Sequence, residues 1–278
     1  MESVGGGTAV PPVVLLHGFG SGSFTWGPVV AAGLVADRPA IAFDRFGFGR
    51  SARPVAGSWG AGTNPYSLAG AVELTERVLD DVGWTSAAVL VGHSAGALVA
   101  VATALAMPDR VRALVLLAPA IVGGGPPPAV AAAFRLPLAR RWGPAVLGLG
   151  RPFLGRAVGT AWHDRSGLAS SGLGAAYASS TAAPGWAEGL VELTLATSPA
   201  DAAGVVAALG SVEVPVLVVA GAHDRLVPLA SARMVADGVP DGRLVVIDGC
   251  GHVPHEEAPD AVVAAVRPFL VTPPGAGA

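Results

Sequence analysis

The stretch AVLVGHSAGALVAVATALAM, Ala88 to Met107, is apolar over the length of a membrane-spanning helix. Gly92 and Gly96 interrupt it around His93 and Ser94, and that interruption decides what the chain can become. Small residues at this spacing let a buried strand turn sharply into a helix. The stretch therefore reads as a strand over 87–93, a turn, and a helix stopped at Pro108.

The same rhythm runs along the chain. VVLLH (13–17), PAIAFD (39–44), VRALVLLA (111–118), VPVLVVAG (214–221) and RLVVID (243–248) are short runs that are apolar almost throughout, as strands buried on both faces are. Helical patterns separate them: about Trp26 to Ala36, 67–83 with Ser67 as N-cap and Gly83 at its end, 229–237, and a last helix ending near Leu270. Strands alternating with helices indicate an open α/β sheet, mainly parallel, of about six strands. The alternation stops between Ile121 and Pro199. GGGPPP (123–128) opens a region of scattered Pro, Gly, Trp and Arg, expected to form short helices. Its position after the fourth strand puts it above the carboxyl ends of the strands, where such sheets bind ligands.

Composition removes several kinds of chemistry. All seventeen basic residues are arginine, so no lysine is present for a Schiff base, a pyridoxal-phosphate anchor or a P-loop. The single cysteine, Cys250, excludes an intrachain disulfide and any multi-cysteine metal site. The histidines lack ligand spacing, and no cofactor is expected. A net charge of −3, with no basic run, gives no reason to expect nucleic acid or anionic lipid as a partner. The N-terminus has no basic segment before VVLL, which is too short for a signal sequence. The expectation is a soluble, intracellular protein of cytoplasm or plastid, without a transmembrane segment.

Gly92-His93-Ser94-Ala95-Gly96 matches G-x-S-x-G, which delivers a serine at a strand-to-helix turn. A serine hydroxyl is a poor nucleophile near neutral pH and needs a base. His252, on the loop GCGHVP after RLVVID, reaches the same sheet edge; His255 is the alternative. His93 and His17 read as structural, His163 as exposed or pocket-lining, and His223 as a packing or surface residue. The base needs an orienting acid, and Asp224 follows VPVLVVAG directly; Asp248, four residues from His252, is its rival. The order Ser94, Asp224, His252 suits this architecture. For charge developing on a substrate oxygen, HGFG (17–20) offers the Phe19 N–H, and the following helix the Ala95 N–H.

The set HGFGSGSFTW, AFDRFGFGRS, GHSAG, HDRLVP and GHVPHEEAP resembles the α/β-hydrolase superfamily over about residues 12–122 and 200–270. Within it AFDRFGFGRS, NPYS, LAPAI and CGHVPHEE are similar to a group of hydrolases from plants and green algae. The resemblance implies a serine hydrolase with Ser94 as nucleophile, Asp224 as acid and His252 as base. It also implies that Asp44 and Arg45 shape the loop beside the pocket and that Glu257 supports the histidine loop. Residues 1–122 and 200–278 would form the core and 123–199 a helical cap. The superfamily usually has two strands before the one ending in His-Gly, and only twelve residues precede Val13. The expected sheet lacks those two strands, leaving PAIAFD as an exposed edge through which copies could associate.

The expected activity is hydrolysis of a carboxylic ester of a small or apolar substrate. Trp142, Phe153, Trp162 and Trp186 in the inserted region suggest an apolar acyl or alcohol part. Two other readings stay open: a hydrolase-fold small-molecule receptor, and a non-hydrolytic enzyme with the same residues, a lyase or cofactor-free peroxidase. GFGRSA (47–52) matches a dinucleotide fingerprint formally, but Pro54 and Gly57 follow where a helix should.

Overall fold

In the computed structural model the six apolar runs become six parallel strands: β1 (Val13–Leu16), β2 (Ala40–Phe43), β3 (Ala88–His93), β4 (Val111–Leu117), β5 (Val216–Gly221) and β6 (Gly242–Ile247). They lie in the order β2-β1-β3-β4-β5-β6. The structure describes residues 10–122 and 128–271, the side chains of 128 and 152–157 excepted. GGGPPP up to its last residue, the Phe153 side chain and the C-terminal tail lie outside the described residues.

Alternation along each strand divides the core. Val14, Leu16, Leu90, Leu114, Leu116 and Val218 face one side of the sheet; Val13, Leu15, Val89, Val91, Val115 and Val219 face the other. Both sides are covered. The first side packs on α2 (Leu68–Asp81), α3 (Ala95–Ala106), α9 (Pro199–Ala207) and α10 (Leu229–Gly238). The second packs on α1 (Gly27–Ala31) and α12 (Pro259–Val271). This is why the strands read as continuous apolar runs. Ala88 to Met107 is accordingly strand β3 and helix α3, both largely buried. No single helix among the described residues is long and apolar enough to cross a membrane.

The Ser67 hydroxyl caps α2, accepting from Gly70 N–H at 3.1 Å, and Gly83 ends that segment with φ +71°. The expected helix from Trp26 is shorter than its pattern. A 3₁₀ turn over Ser23–Trp26 leads into α1, and the chain breaks at Gly33, which takes φ +94°. β2 is an edge strand, with β6 at the other edge, and is only half-buried. Residues 10–12 are not strand.

Between β4 and β5 lie α4 (Pro128–Phe134), α5 (Pro137–Ala161), α6 (Arg165–Ser170), α7 (Leu173–Ala182), α8 (Trp186–Ala196) and α9. The expectation of short helices fails for α5, which runs for 25 residues through Gly143, Pro144, Gly148 and Gly150. Pro137 at its first turn suits helix entry, and packing on α7 and α8 holds it where propensity does not.

Candidate active site

The turn between β3 and α3 places Ser94 at φ 52°, ψ −118°, a conformation that a side chain rarely adopts. Surrounding hydrogen bonds hold it there. Ser94 N–H donates to Leu117 O at 2.9 Å, and Ser94 O accepts from Ala97 and Ala120 N–H at 3.0 and 3.2 Å. The glycines on either side allow the close approach this needs. A methyl group on Gly96 would overlap the Leu16 carbonyl, and one on Gly92 the Gly96 carbonyl. The hydroxyl thus emerges at the carboxyl edge of the sheet.

Two loops from the same edge meet it. His252 Nδ1 lies 2.8 Å from Asp224 Oδ2 and Nε2 lies 3.0 Å from Ser94 Oγ. A carboxylate only accepts, so Nδ1 carries the proton and donates to Asp224; Nε2 is left with its lone pair facing the serine O–H. The other Asp224 oxygen accepts the N–H groups of Leu226 and Val227 at 2.8 and 2.9 Å, which fixes the carboxylate. The Asp224 and His252 side chains are 2% and 8% exposed, so these contacts are shielded from water.

The expected oxyanion donors belong to residues next to the serine or to the loop that packs on it: Ala95 follows Ser94, and Phe19 follows Gly18. Gly18 packs against Ser94 and His93 so closely that a methyl group there would lie 3.1 Å from Ser94 Cβ. The loop carrying Phe19 therefore lies against Ser94. Among the described residues neither the Phe19 nor the Ala95 N–H has a backbone or side-chain acceptor. The loop is braced from below by His17, whose Nδ1–H donates to Gly18 O at 2.8 Å while Nε2 accepts Arg45 N–H at 3.1 Å. Arg45 also donates to His17 O, and burial followed by the Arg45 charge brings the His17 pKa down to about 3. Asp44 accepts the N–H groups of Ser23 and Arg50 at 2.6 and 2.8 Å, tying the two loops together.

The His252 loop is also bound to the inserted helices. His252 N–H donates to Ala161 O at the end of α5, at 2.7 Å. Glu257, in α11 (Pro254–Glu257), accepts Gly251 N–H with one oxygen and Asp164 N–H with the other, both at 2.7 Å. Glu257 thus spans both the loop and the insertion.

The other candidate residues lie elsewhere. Asp248 is fully exposed and nearest to His223, at 3.8 Å, away from His252. His163 stacks on His223 with ring centres 4.1 Å apart. His93 donates from Nε2 to His252 O at 2.9 Å, and burial holds its pKa well below the usual value. His255 is wholly buried and bonded to Thr25, so it does not reach Ser94. Trp142 faces outward from α5 instead of lining the site, whereas Trp162 and Trp186 are buried. Among the described residues no three His, Cys, Asp or Glu side chains come together as metal ligands would.

One group is almost invisible in the sequence. Thr25 and Tyr177 (from α7) both donate to Glu256 Oε1, the tyrosine at 2.6 Å, and His255 Nε2 donates to Thr25 Oγ1 at 2.8 Å. Burial pushes the Glu256 pKa up to about 7, against the pull of the two hydroxyl donors. This buried polar cluster fastens α7 to the core. Only the adjacent acidic pair in HEE hinted at it, and nothing pointed to Thr25 or Tyr177.

Comparison with known proteins gives a consistent set. The family model described as Alpha/beta hydrolase family matches residues 13–265. A 2-hydroxy-6-oxo-2,4-heptadienoate hydrolase of Pseudomonas putida is 30% identical, covering 97% of this chain and 91% of the relative. Among solved structures, an enol-lactonase from Burkholderia xenovorans superposes with a TM-score of 0.76 at 24% identity, over 96% of this chain and 93% of the other. A thermophilic esterase from Thermogutta terrifontis gives 0.75 at 24% identity, over 95% and 90%.

Proposed function

The chain belongs to the Alpha/beta hydrolase family, and on that premise we propose that it cleaves a carboxylic ester of a small or apolar substrate through an acyl-enzyme. The observation that carries this is the chain of contacts Ser94 Oγ–His252–Asp224 at 3.0 and 2.8 Å, in the one tautomer that leaves Nε2 able to take a proton.

Ser94 is the nucleophile, His252 the general base and Asp224 the orienting acid. Ser94 Oγ attacks the ester carbonyl carbon as its proton passes to His252 Nε2. The Phe19 and Ala95 N–H groups hold the oxygen that becomes negative, helped by the N-terminus of α3. The C–O bond to the alcohol breaks and His252 protonates the departing oxygen. Water, deprotonated by His252, then attacks the acyl carbon and releases the acid. Residues 1–122 and 200–278 act as the hydrolase core, and 123–199 as a cap that limits what reaches the serine.

A second reading follows from the relatives. The Pseudomonas putida protein is named for a 2-hydroxy-6-oxo-dienoate, and a second from the same species, 30% identical over 93% of this chain, for 2-hydroxymuconate semialdehyde. On this reading the same serine and histidine act on such a dienoate. One experiment separates the readings. The protein is assayed with p-nitrophenyl esters of graded acyl length and with 2-hydroxy-6-oxo-2,4-heptadienoate, and labelled with a fluorophosphonate. The expected result is ester turnover and labelling, both lost in Ser94→Ala with a fall of at least about 10³-fold. Unchanged turnover in that variant would overturn the assignment. Faster turnover of the dienoate would favour the second reading, and labelling without turnover a receptor.

A further inference from the structure

The outer face of α5 carries a run of large apolar side chains in solvent. At 100° per residue Leu138, Trp142, Val146 and Leu149 fall within an arc of about 80°. All four point away from the protein: Leu138 is 72% exposed and Leu149 81%, with Trp142 and Val146 more than half exposed. Leu136, just before the helix, extends the stripe, and an apolar groove of about 710 Å³ opens beside it between Phe134 and Leu147. A continuous apolar stripe of this kind marks an interaction site.

The charges beside it say what kind. The whole-chain charge of −3 conceals a segregation: from Val111 to Trp162 there are six arginines and no carboxylate. Arg140 is occupied by Glu192 at 2.7 Å. Arg135 and Arg141 have no carboxylate partner among the described residues, and the Arg141 guanidinium lies 5.9 Å from the Trp142 ring. An apolar stripe with an amphipathic tryptophan and bordering arginines is the chemistry of a helix lying in a lipid interface. A symmetric contact between two copies would bring the unpaired arginines together with no acid in the segment to neutralise them.

We propose that the outer face of α5 docks on an anionic phospholipid surface, with Leu138, Trp142, Val146 and Leu149 entering the interface and Arg135 and Arg141 meeting the headgroups. The C-terminal end of α5 accepts a hydrogen bond from the His252 N–H, so docking would hold the site close to a source of apolar ester. The docking itself does not depend on which bond the site cleaves.

The test is co-sedimentation of the whole protein with vesicles of phosphatidylcholine, with and without phosphatidylglycerol. Binding to the anionic vesicles only, weakened by salt, is expected. Arg135→Ser with Arg141→Ser should lower the partition coefficient roughly 30-fold, and Leu138→Ser with Leu149→Ser should abolish binding, both with unchanged thermal unfolding. The arginine pair touches no packed core, so it serves even if the leucine pair impairs folding. No binding to anionic vesicles, or binding undiminished in the arginine variant, overturns the proposal. A dimer that Leu149→Ser dissolves, without vesicle binding, overturns it in favour of a second copy.

Discussion

The sheet and the insertion use the same alanine-, leucine- and valine-rich alphabet to opposite ends. In β1 and β3 every side chain is almost wholly buried, and position is set where backbone touches backbone, as at Gly96 on the Leu16 carbonyl. In α5 Leu138 and Leu149 turn outward, and a methyl group on Gly143 would first meet the edge of the Phe134 ring. The first arrangement has no slack, because a peptide cannot move aside without moving its strand. The second has slack, because a half-exposed ring can rotate. The proposed catalytic site rests on the first arrangement, and the proposed docking face on the second.

A matched pair of substitutions puts this contrast at risk. Gly96→Ala adds a methyl group against the Leu16 and His17 carbonyl oxygens and is expected to cost about 3 kcal/mol or more. Gly143→Ala meets the Phe134 ring at 2.6 Å, but also gains up to about 1 kcal/mol of helix propensity. It should stay near the wild type. Urea unfolding measures both, and equal losses would break the comparison.

The seam between the two regions sharpens it. The Glu256 carboxyl, with a folded pKa of about 7 against an ordinary 4.5, keeps a proton that the unfolded chain has released. Its contribution is complete below the unfolded value and is lost as the pH rises through the folded one. Glu256→Gln removes that loss, so the variant should gain on the wild type between pH 5 and pH 8, by on the order of 3 kcal/mol. His17 and His255, each lowered to about 3 by burial, act oppositely. Their contribution is present above about pH 6.5 and lost as the pH falls, in both proteins. Parallel stability curves would show that Glu256 does not titrate in this range.

The smallest effect belongs to Glu257. Its two hydrogen bonds tie Gly251, next to the proposed base, to Asp164 in the insertion. Glu257→Gln keeps one acceptor and spoils the other, and should lower kcat for an ester roughly tenfold with little change in KM. Glu257→Asp should recover less than half of that loss, since its shorter arm does not span both N–H groups. An unchanged kcat would mean that the insertion and the His252 loop are placed independently.

What the sequence displayed followed the same division. The six strands stand within two residues of their expected limits, because short apolar runs bounded by Gly, Pro and Asp are too short for buried helices. Ser94, Asp224 and His252 were visible because each follows a strand at one sheet edge, so counting strands brings them together. The glycines at 92 and 96 gave the turn by their size alone. The insertion was opaque for the converse reason: its glycines and prolines argue against a 25-residue helix, and only packing on α7 and α8 overrules them. The Thr25–Glu256–Tyr177 cluster joins residues 231 and 79 positions apart, and no local pattern encodes a contact of that kind.

The φ of 52° at Ser94 has a consequence for descent as well as for chemistry. A glycine there would take the same backbone angles without steric cost, and the fold would relax. It would also lack the hydroxyl. Stability and reactivity therefore pull on this residue in opposite directions. A lineage selected only for staying folded would have reason to replace the serine with glycine, at the loss of that hydroxyl.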